Sequence, residues 1–432
     1  MKRHLAVLVA VFAAAAESVG DPCFNVRKFG AVGDGLAKDT AAIQAAIDAA
    51  EKTGGGEVYV PAGTYLTGSL YLKDNVDFHL GAGALVRGSP DKADYSPDDV
   101  CPQNWSCWDE RASGAHLLLA IERKNVRVRG PGRIDGNMRA FNLDASGRMY
   151  PPTQDRQTGR WHVGIPWRPA QMLYFVECEN VRLEDLKLTN APYWSCFVWG
   201  CEDVWIRGLD VSTSRSPRTH NGDGIDIDSC LRVTVSDCHV RTTDDAITLR
   251  ASNARLKKKR DCAYVTIQNC VLSSLCDAFR LGVGTGRIHD VTVTGCSIYD
   301  SRRAVDVVSS WNAKSERGVS FENIRFLNLT VDAVDFCWVY PRFAKNALVR
   351  NLTFEGVTGT VRSNSYVSAT NGAKFENVVF RNVDLLGAVD VRDDDVRIEG
   401  GTVRRIESDG SDLMRHRVEI GCTCGLEDVK WP

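Results

Sequence analysis

The sequence lacks an excess of charge of either sign: 53 lysines and arginines face 55 aspartates and glutamates, giving a formal net charge of −2. This balance gives no electrostatic reason to expect a nucleic acid or a membrane surface as a partner. Beyond the first twenty residues, the sequence also lacks an apolar run long enough to span a bilayer. Cysteines and histidines nowhere show the spacing of a zinc site, so we expect no metal and no cofactor.

The N-terminus carries the most apolar segment. Positions 2–4 are Lys, Arg and His, an apolar run covers positions 5–16, and small residues follow. This is the layout of a secretory signal peptide, and the run is short for a membrane span. We therefore expect residues 1–20 to be a signal peptide and residues 21–432 to form a single domain. The mature protein should be a secreted or periplasmic monomer.

Fifteen cysteines in an exported chain favour disulfides, and the odd number leaves at least one thiol unpaired within the chain. The better candidates lie in segments that resemble loops: Cys101, Cys107, Cys422 and Cys424. Their connectivity does not follow from the sequence.

Internal repetition is the strongest pattern in the chain. A segment with apolar first and third positions, a polar or glycine turn position and a further apolar strand recurs about every 18 to 33 residues. It begins at Val181, Val204, Val233, Val265, Val291, Ile324, Leu352, Val378 and Val396. Short strands joined by tight turns at this period are typical of a parallel β-helix, whose coils must stack to bury their inward faces. The sequence therefore predicts an all-β solenoid.

The same alignment places Cys238, Cys270 and Cys296 at one position of three successive coils. We interpret them as small apolar residues stacked in the core, with a disulfide ladder as the alternative.

An open end of a β-helix exposes unpaired strand edges and must be covered. The segment "KDTAAIQAAIDAAEKTGGG" predicts a short capping helix, with Asp39 or Thr40 as its N-cap and Ile43 and Ile47 on one face. Glycines 54–56 should end it.

The repeat also aligns polar residues that stand two positions before an inward apolar residue: Trp194, Asp223, Asp245, Asp277 and Arg303. Equivalent positions on adjacent coils lie about 4.8 Å apart, so these side chains should form one line, with Asp244 beside it. Stacked carboxylates repel, and the pKa of one or more should be raised. Hydrolysis of a glycosidic bond uses such an arrangement, with one protonated carboxyl as acid and an ionised one to activate water. A separation of roughly 6.5–9.5 Å would imply inversion.

The motifs "NGDG" and "TTDDA", together with "FNVRKFGAVGDGLAKDTAAIQAAIDAA", resemble glycoside hydrolase family 28, the polygalacturonase family, over roughly residues 24 to 400. The resemblance implies a right-handed parallel β-helix of the pectin-lyase-like type and metal-free, inverting hydrolysis of a pectin-type polysaccharide. It also implies that Asp244 is the general acid and that Asp223 and Asp245 hold and activate water. Asn221 belongs to the first motif and is a candidate for substrate binding.

Two positions depart from the family pattern. Asp277 stands where the family has a histidine, and residues 306–308 read Asp-Val-Val where the family has Arg-Ile-Lys. Arg280 and Arg303 could compensate, either by holding a uronate bidentately or by lowering the pKa of Asp277. The alternative for Arg280 is an ion pair with Asp277 or Asp306.

Three further features have two interpretations each. Trp194 would suit stacking on a sugar ring, or it packs within the protein. Arg168 shapes the cleft or has a structural role. The basic run at residues 254–262 is a solvated loop, or it borders the cleft and attracts an acidic polysaccharide. The candidates for substrate binding are Arg280, Arg303, Asp277, Trp194, Asn221 and Arg168.

The sequence thus predicts an exported glycosidase acting on an acidic, plant-type polysaccharide of the galacturonan or rhamnogalacturonan kind. A polysaccharide lyase or epimerase on the same fold is the first alternative, because β-helices host several functions. A carbohydrate-binding β-helix without catalysis is the second.

Overall fold

The computed structural model describes residues 22–95, 113–154, 161–310, 317–363, 365–369, 371–387 and 418–421. The predicted signal peptide lies outside these residues, as do the four cysteines proposed for disulfides, Cys101, Cys107, Cys422 and Cys424. No helix in the described part of the chain is both long enough and apolar enough to cross a membrane.

The chain winds as a right-handed parallel β-helix with three faces, the hand expected for parallel crossovers. Face 1 contains Cys23–Asn25, Gly56–Val60, Val76–Leu80, Lys124–Arg129, Glu179–Glu184, Glu202–Arg207, Leu231–Ser236, Cys262–Gln268, Arg287–Thr294, Ser320–Leu327 and the first parts of Leu348–Val361 and Lys374–Gly387. Face 2 contains Asp34–Lys38, Gly63–Thr67, Ala84–Gly88, Arg133–Asp135, Lys187–Thr189, Asp210–Ser212, His239–Thr242, Val271–Ser274, the first parts of Ser297–Ser310 and Thr330–Arg342, and the ends of Leu348–Val361 and Lys374–Gly387. Face 3 contains Leu70–Tyr71, Leu118–Ile121, Leu173–Val176, Cys196–Trp199, Ile225–Asp228, Ile247–Ala251, Asp277–Gly284, the later parts of Ser297–Ser310 and Thr330–Arg342, Ser365–Ser368 and Val418–Gly421.

Few other elements interrupt the solenoid. An antiparallel pair, Pro152–Gln154 with Trp161–Val163, extends from it. The remaining short helical elements are the 3-10 turns Val26–Phe29 and Lys92–Asp94 and the helix Arg139–Asn142.

The register of the coils is the one that the repeat predicts. Val204, Val233, Val265 and Val291 are consecutive partners on face 1. In eight successive coils the corner between faces 1 and 2 turns at one residue with a positive φ of 48–66°: Asp185, Gly208, Asp237, Asn269, Gly295, Asn328, Gly356 and Asn382. Glycine, asparagine and aspartate tolerate this left-handed conformation. The polar or glycine position of the repeat is therefore the residue that turns each coil.

The inward side chains form one continuous core from Val26 to Leu385. Cys238, Cys270 and Cys296 lie in it with free thiols, which confirms their interpretation as stacked apolar residues. The structure adds a second thiol column that the sequence analysis missed: Cys178, Cys201, Cys230 and Cys262, all buried and free.

The N-terminal end is covered by a helix, Thr40–Lys52, whose Ile43 and Ile47 are fully buried, as predicted. Asp39 is at the N-cap position of this helix, as predicted, but its side chain makes no capping hydrogen bond. The Asp39 carboxylate accepts from the backbone N–H groups of residues 32 and 33, at 2.6 and 3.0 Å. Thr40 Oγ1 accepts from the N–H of Gly68 at 2.9 Å. Both side chains tie the helix to neighbouring turns.

Candidate active site

The aspartates of the site lie at the corner where the chain enters face 3. Neighbouring coils pair here through Cys196, Ile225, Ile247, Phe279 and Val305. The residues two positions earlier are therefore also in register, and they are Trp194, Asp223, Asp245, Asp277 and Arg303. Backbone hydrogen bonds of 2.9 Å join this corner from coil to coil, as from the N–H of Gly224 to the carbonyl of Asp245. The next coil extends the line to Asp335, the partner of Arg303, which the sequence analysis missed.

The glycines of "NGDG" permit this close stacking. A Cβ on Gly222 would lie 2.4 Å from Thr243 Oγ1, and one on Gly224 would lie 2.4 Å from the carbonyl oxygen of Ala246. Both distances are far below van der Waals contact, so only glycine fits on either side of Asp223. The motif therefore holds the Asp223 backbone against the coil that carries Asp244 and Asp245.

Asp223, Asp244 and Asp245 line one cleft, together with Asn221, Arg250 and Arg280. Asp223 and Asp245 are buried, at 5% and 2% exposure, whereas Asp244 is half-buried. The backbone carbonyl of Asp244 accepts hydrogen bonds from Thr242 Oγ1 and Ser274 Oγ, both at 2.6 Å. Hydroxyls from two coils thus fix the turn that presents the Asp244 side chain to the cleft.

A thiol also borders this cleft. Cys276 Sγ, a carboxylate oxygen of Asp244 and one of Asp245 all lie within 4.8 Å of one another. Within the described ranges, this is the one group of three or more donors placed to hold a metal ion. Two of its members are the candidate catalytic carboxylates. Burial and the neighbouring carboxylates raise the pKa of Cys276, so the thiol stays protonated.

Arg168 organises the loop that precedes Asp223. Its Nη1 donates to the carbonyl oxygens of Pro192 and His220, at 2.7 and 2.6 Å, and its Nη2 donates to Asn221 Oδ1 at 2.9 Å. Its guanidinium also lies 4.5 Å from the centre of the Tyr193 ring. Burial and the nearby arginines lower the pKa of His220, which is therefore neutral near pH 7. Arg168 thus shapes the cleft by holding its wall.

Trp194 borders the cleft but is almost completely buried. It is 2% exposed, stacks on Tyr193 with ring centres 5.0 Å apart, and lies 4.5 Å from the guanidinium of Arg250. Of its two interpretations, this geometry favours packing within the protein.

Arg280 and Arg303 are both ion-paired. Arg280 Nη1 donates to Asp245 Oδ2 at 3.0 Å, a partner that the sequence analysis did not name, and its charge also interacts with Asp277 and Asp306. Arg303 Nη1 lies 3.0 Å from Asp277 Oδ1 and 3.5 Å from Asp306 Oδ1. The sequence analysis missed the Asp245 pair because it requires a side chain of one coil to reach the turn of the previous coil.

The pKa of Asp277 is raised well above its usual range, mainly by burial and then by the charges of Asp306 and Asp245. Arg303 and Arg280 oppose this shift but do not cancel it. The expectation that a stacked carboxylate would have a raised pKa is confirmed at this position. Burial also raises the pKa of Asp306.

A second set of charges on the outward side of face 3 was not foreseen. Asp226, Asp228 and Arg250 are almost fully buried, at 0%, 2% and 4% exposure. Arg250 Nε lies 3.4 Å from Asp228 Oδ2, and the N–H of Ser252 donates to Asp228 Oδ1 at 2.6 Å. Outward strand positions usually face water, so the alternation in "GIDIDS" gave no signal that these carboxylates would be covered.

The basic run at residues 254–262 is bound to glutamates of earlier coils. Arg260 Nη1 lies 2.6 Å from Glu202, Lys258 Nζ lies 3.8 Å from Glu179, and Lys257 pairs with Glu122. Its charges are largely satisfied by the solenoid itself. Lys257, Lys258 and Lys259 are nevertheless exposed, so of its two interpretations the structure favours the solvated loop, with part of its charge paired.

Two family models match this chain. The model of "Glycosyl hydrolases family 28" matches residues 106–398, and the model "Rhamnogalacturonase A/epimerase, pectate lyase-like" matches residues 23–84. An exo-poly-alpha-D-galacturonosidase of Dickeya chrysanthemi is 25% identical over 404 residues, which are 84% of this chain and 62% of that protein. The chain therefore spans less than two thirds of that relative.

The chain is also similar to an epimerase in sequence and to an exopolygalacturonase in structure. The mannuronan C5-epimerase AlgE4 of Azotobacter vinelandii is 48% identical over 162 residues, which are 34% of this chain and 28% of the epimerase. The crystal structure of a hyperthermoactive exopolygalacturonase from Thermotoga maritima superposes with a TM-score of 0.65 at 22% identity, covering 85% of this chain and 90% of that one. The structural likeness confirms the fold. The family 28 model matches more than half of this chain, so the chain belongs to family 28 of the glycosyl hydrolases.

Proposed function

We propose that the protein is an exported hydrolase that cleaves a glycosidic bond in a pectic polysaccharide, of galacturonan or rhamnogalacturonan type, by one-step inversion. Asp244 gives its proton to the leaving glycosidic oxygen. Asp223 and Asp245 hold a water molecule and take its proton as the water oxygen bonds to the anomeric carbon. The bond from that carbon to the leaving oxygen breaks in the same step, and no metal is required.

One observation carries this proposal: three carboxylates from two consecutive coils open into one cleft. Asp244 is the most exposed of them, which suits a group that exchanges protons with solvent between turnovers. Asp245 is held in place beside the cleft by its ion pair with Arg280, as a group that must orient a water molecule needs to be. Membership of a hydrolase family supports the same chemistry.

The remaining candidates have different proposed roles in substrate binding. Asn221 and Arg280 line the cleft and would contact the sugar directly. Arg168 would act through Asn221, whose side chain it holds. Asp277 and Arg303 pair with each other and would frame the cleft electrostatically. Trp194 also borders the cleft but would serve mainly as a packed wall.

The test compares the wild type with Asp244→Asn on polygalacturonan, rhamnogalacturonan and xylogalacturonan, with released sugars followed by NMR. We expect hydrolysis of at least one polymer, the inverted anomer as first product, and a loss of about 10²–10⁴-fold in the variant, the scale of a general acid's contribution. Asp332→Asn is the matched control, because Asp332 is on the surface in an ion pair with Arg362. A variant as active as the wild type, or a retained anomer, would contradict the mechanism.

The identity to the AlgE4 epimerase favours a second candidate, a lyase or epimerase acting on a uronan. Such an enzyme removes the proton next to the uronate carboxyl and releases no new reducing end by hydrolysis. A product that absorbs in the ultraviolet would indicate a lyase, and an altered sugar configuration in an uncut chain would indicate an epimerase. Binding without any of these products would indicate a carbohydrate-binding protein.

A further inference from the structure

The outward side of face 3 is covered by the protein itself on the N-terminal side of the cleft. Tyr174, Phe197 and Trp199 lie there on the coils before the candidate aspartates, and none of them is more than 1% exposed. These rings and Leu256 belong to one apolar cluster, which is separate from the core of the solenoid. Trp199 Nε1 also donates to the carbonyl oxygen of Ser252 at 2.7 Å, so the segment that begins at Ser252 lies over these rings.

On the C-terminal side of the cleft, the same face carries aromatic side chains that are not covered in this way. One outward line of face 3 runs in register through five coils: Thr248, Arg280, Asp306, Trp338 and Tyr366. The first two residues of this line belong to the lining of the cleft. The last two are partly exposed. The line therefore leads from the cleft to two accessible rings.

Tyr340 joins these two rings, and the three side chains of Trp338, Tyr340 and Tyr366 form what is here named the aromatic platform. The ring centre of Trp338 lies 5.7 Å from that of Tyr366 and 5.9 Å from that of Tyr340, and the two tyrosine rings are 6.1 Å apart. The guanidinium of Arg303 lies 3.8 Å from the centre of the Trp338 ring. Each ring is thus held by the other two, and all three remain partly exposed.

The platform adjoins the cleft through Tyr340. Burial raises the pKa of its phenol to about 12, and the charges of Asp306 and Arg280 also act on it. The phenol therefore lies within electrostatic reach of Arg280, which lines the cleft. In the line of Tyr340, the two preceding coils carry Gly282 and Val308. These are small residues, so no long side chain of this line stands between the cleft and the phenol.

The register also sets the distance from the platform to the catalytic carboxylates. The coil of Trp338 lies three steps beyond the coil of Asp245, which is about 14 Å at about 4.8 Å per coil. In an extended polysaccharide, one pyranose unit is about as long as the rise of one coil. A chain that runs along the solenoid from Asp245 therefore reaches the platform with about its third sugar unit.

We propose that the aromatic platform binds a sugar ring of the substrate about three units from the cleaved bond, so that the bound chain extends from the cleft toward the C-terminal coils. This inference deepens the proposed function and rests on it. The C–H face of a pyranose ring is apolar, and contact with Trp338 and Tyr366 removes apolar surface of both partners from water. The hydroxyl of a tyrosine can in addition exchange hydrogen bonds with sugar hydroxyls.

Oligosaccharides of two lengths test the inference: a disaccharide, which is too short to span from Asp245 to the platform, and a hexasaccharide. Both lengths are prepared from galacturonan and from rhamnogalacturonan. Their binding to the Asp244→Asn protein is measured by calorimetry, with and without Trp338→Leu, which removes the flat ring. We expect Trp338→Leu to weaken the binding of a hexasaccharide of at least one polymer about tenfold and to change that of the disaccharide by less than about twofold.

Trp205→Leu is the matched control. Trp205 is also an outward, partly exposed tryptophan, and the guanidinium of Arg182 lies 4.4 Å from its ring centre, but it lies on face 1. Its replacement should leave both affinities unchanged. Tyr366→Leu is a second variant of the platform and should weaken hexasaccharide binding about 3- to 10-fold. It decides the matter if Trp338→Leu does not fold.

Three results would overturn the inference: hexasaccharide affinity that is unchanged in a folded platform variant, equal losses for the disaccharide and the hexasaccharide, or binding of none of the oligosaccharides. Hydrolysis by the wild type is followed separately. If the platform variants lose hexasaccharide affinity but the wild type hydrolyses neither polymer, the proposed function fails and the binding site stands. If the wild type hydrolyses a polymer and the platform variants bind normally, the proposed function stands and the binding site fails.

Discussion

Replacement of Arg280 by methionine removes the only guanidinium hydrogen-bonded to Asp245 among the described residues. The two side chains are 9% and 3% exposed, and Nη1 and Oδ2 are 3.0 Å apart. Methionine keeps much of the aliphatic volume of arginine, so the change tests the charge more than the packing. The Asp245 carboxylate would remain buried without its counter-charge.

The magnitude follows from this geometry. Two unit charges 3.0 Å apart attract by about 5.5 kcal/mol at an effective dielectric constant near 20. Experiments that remove one member of a buried pair give losses of about 3–5 kcal/mol, because the other charge stays buried. We therefore expect Arg280→Met to lower the free energy of unfolding by about 3–5 kcal/mol. Arg280→Lys keeps the charge but loses the planar fork, and it should cost less than Arg280→Met.

Urea denaturation followed by tryptophan fluorescence measures both variants, together with Asp245→Asn and the double variant Arg280→Met/Asp245→Asn. The double variant should be more stable than the sum of the single losses predicts, because it leaves no unpaired buried charge. A loss below about 1 kcal/mol in Arg280→Met, or strictly additive losses in the double variant, would refute the reasoning.

Three further outcomes are expected. Burial raises the pKa of Asp306, so this carboxyl stabilises the folded state below its unfolded pKa of about 3.9 and loses that contribution as pH rises through its higher folded pKa. The unfolding temperature of Asp306→Asn should therefore fall less between pH 4 and pH 8 than that of the wild type. Arg168→Met should lower kcat/KM about tenfold with little change in unfolding temperature, because the variant loses the hydrogen bonds that hold the loop before Asp223. An unchanged kcat/KM in steady-state kinetics would contradict this role. Gly224→Ala should destabilise the fold by more than about 2 kcal/mol, because its Cβ would lie 2.4 Å from a backbone oxygen. Gly54→Ala has open space around its Cβ and should cost only the roughly 1–2 kcal/mol that a positive φ imposes on alanine. Equal unfolding midpoints of the two variants in urea would refute the comparison.

Much of the fold could be read from the sequence because a β-helix repeats one local pattern. The alternation of apolar residues around Val233 and Val265 indicates strands, and the residue that turns each coil recurs at the same place. Once the coils are aligned, residues far apart in the chain become neighbours. The alignment of Asp277 with Arg303 followed from counting alone, and that of Asp223 with Asp245 followed from their shared place two residues before an inward apolar residue.

The ion-pair partners of the charged side chains could not be predicted from residue spacing in this way. Arg280 stands in register with Thr248 and Asp306, yet it pairs with Asp245, because a long side chain reaches beyond its own position. Likewise, Asp226 is on an outward strand position and is nevertheless 0% exposed. Burial of an outward residue depends on segments that fold over the strand from elsewhere.

The sequence by itself therefore determined the parallel β-helix, the capping helix and the line of aspartates, because strand alternation and repeat length are local properties that stacking converts directly into register. Only the tertiary structure decided which guanidinium neutralises which carboxylate, and how many carboxylates lie buried around the cleft. Those features depend on side-chain reach and on coverage by distant segments, and they set the charge that a substrate meets.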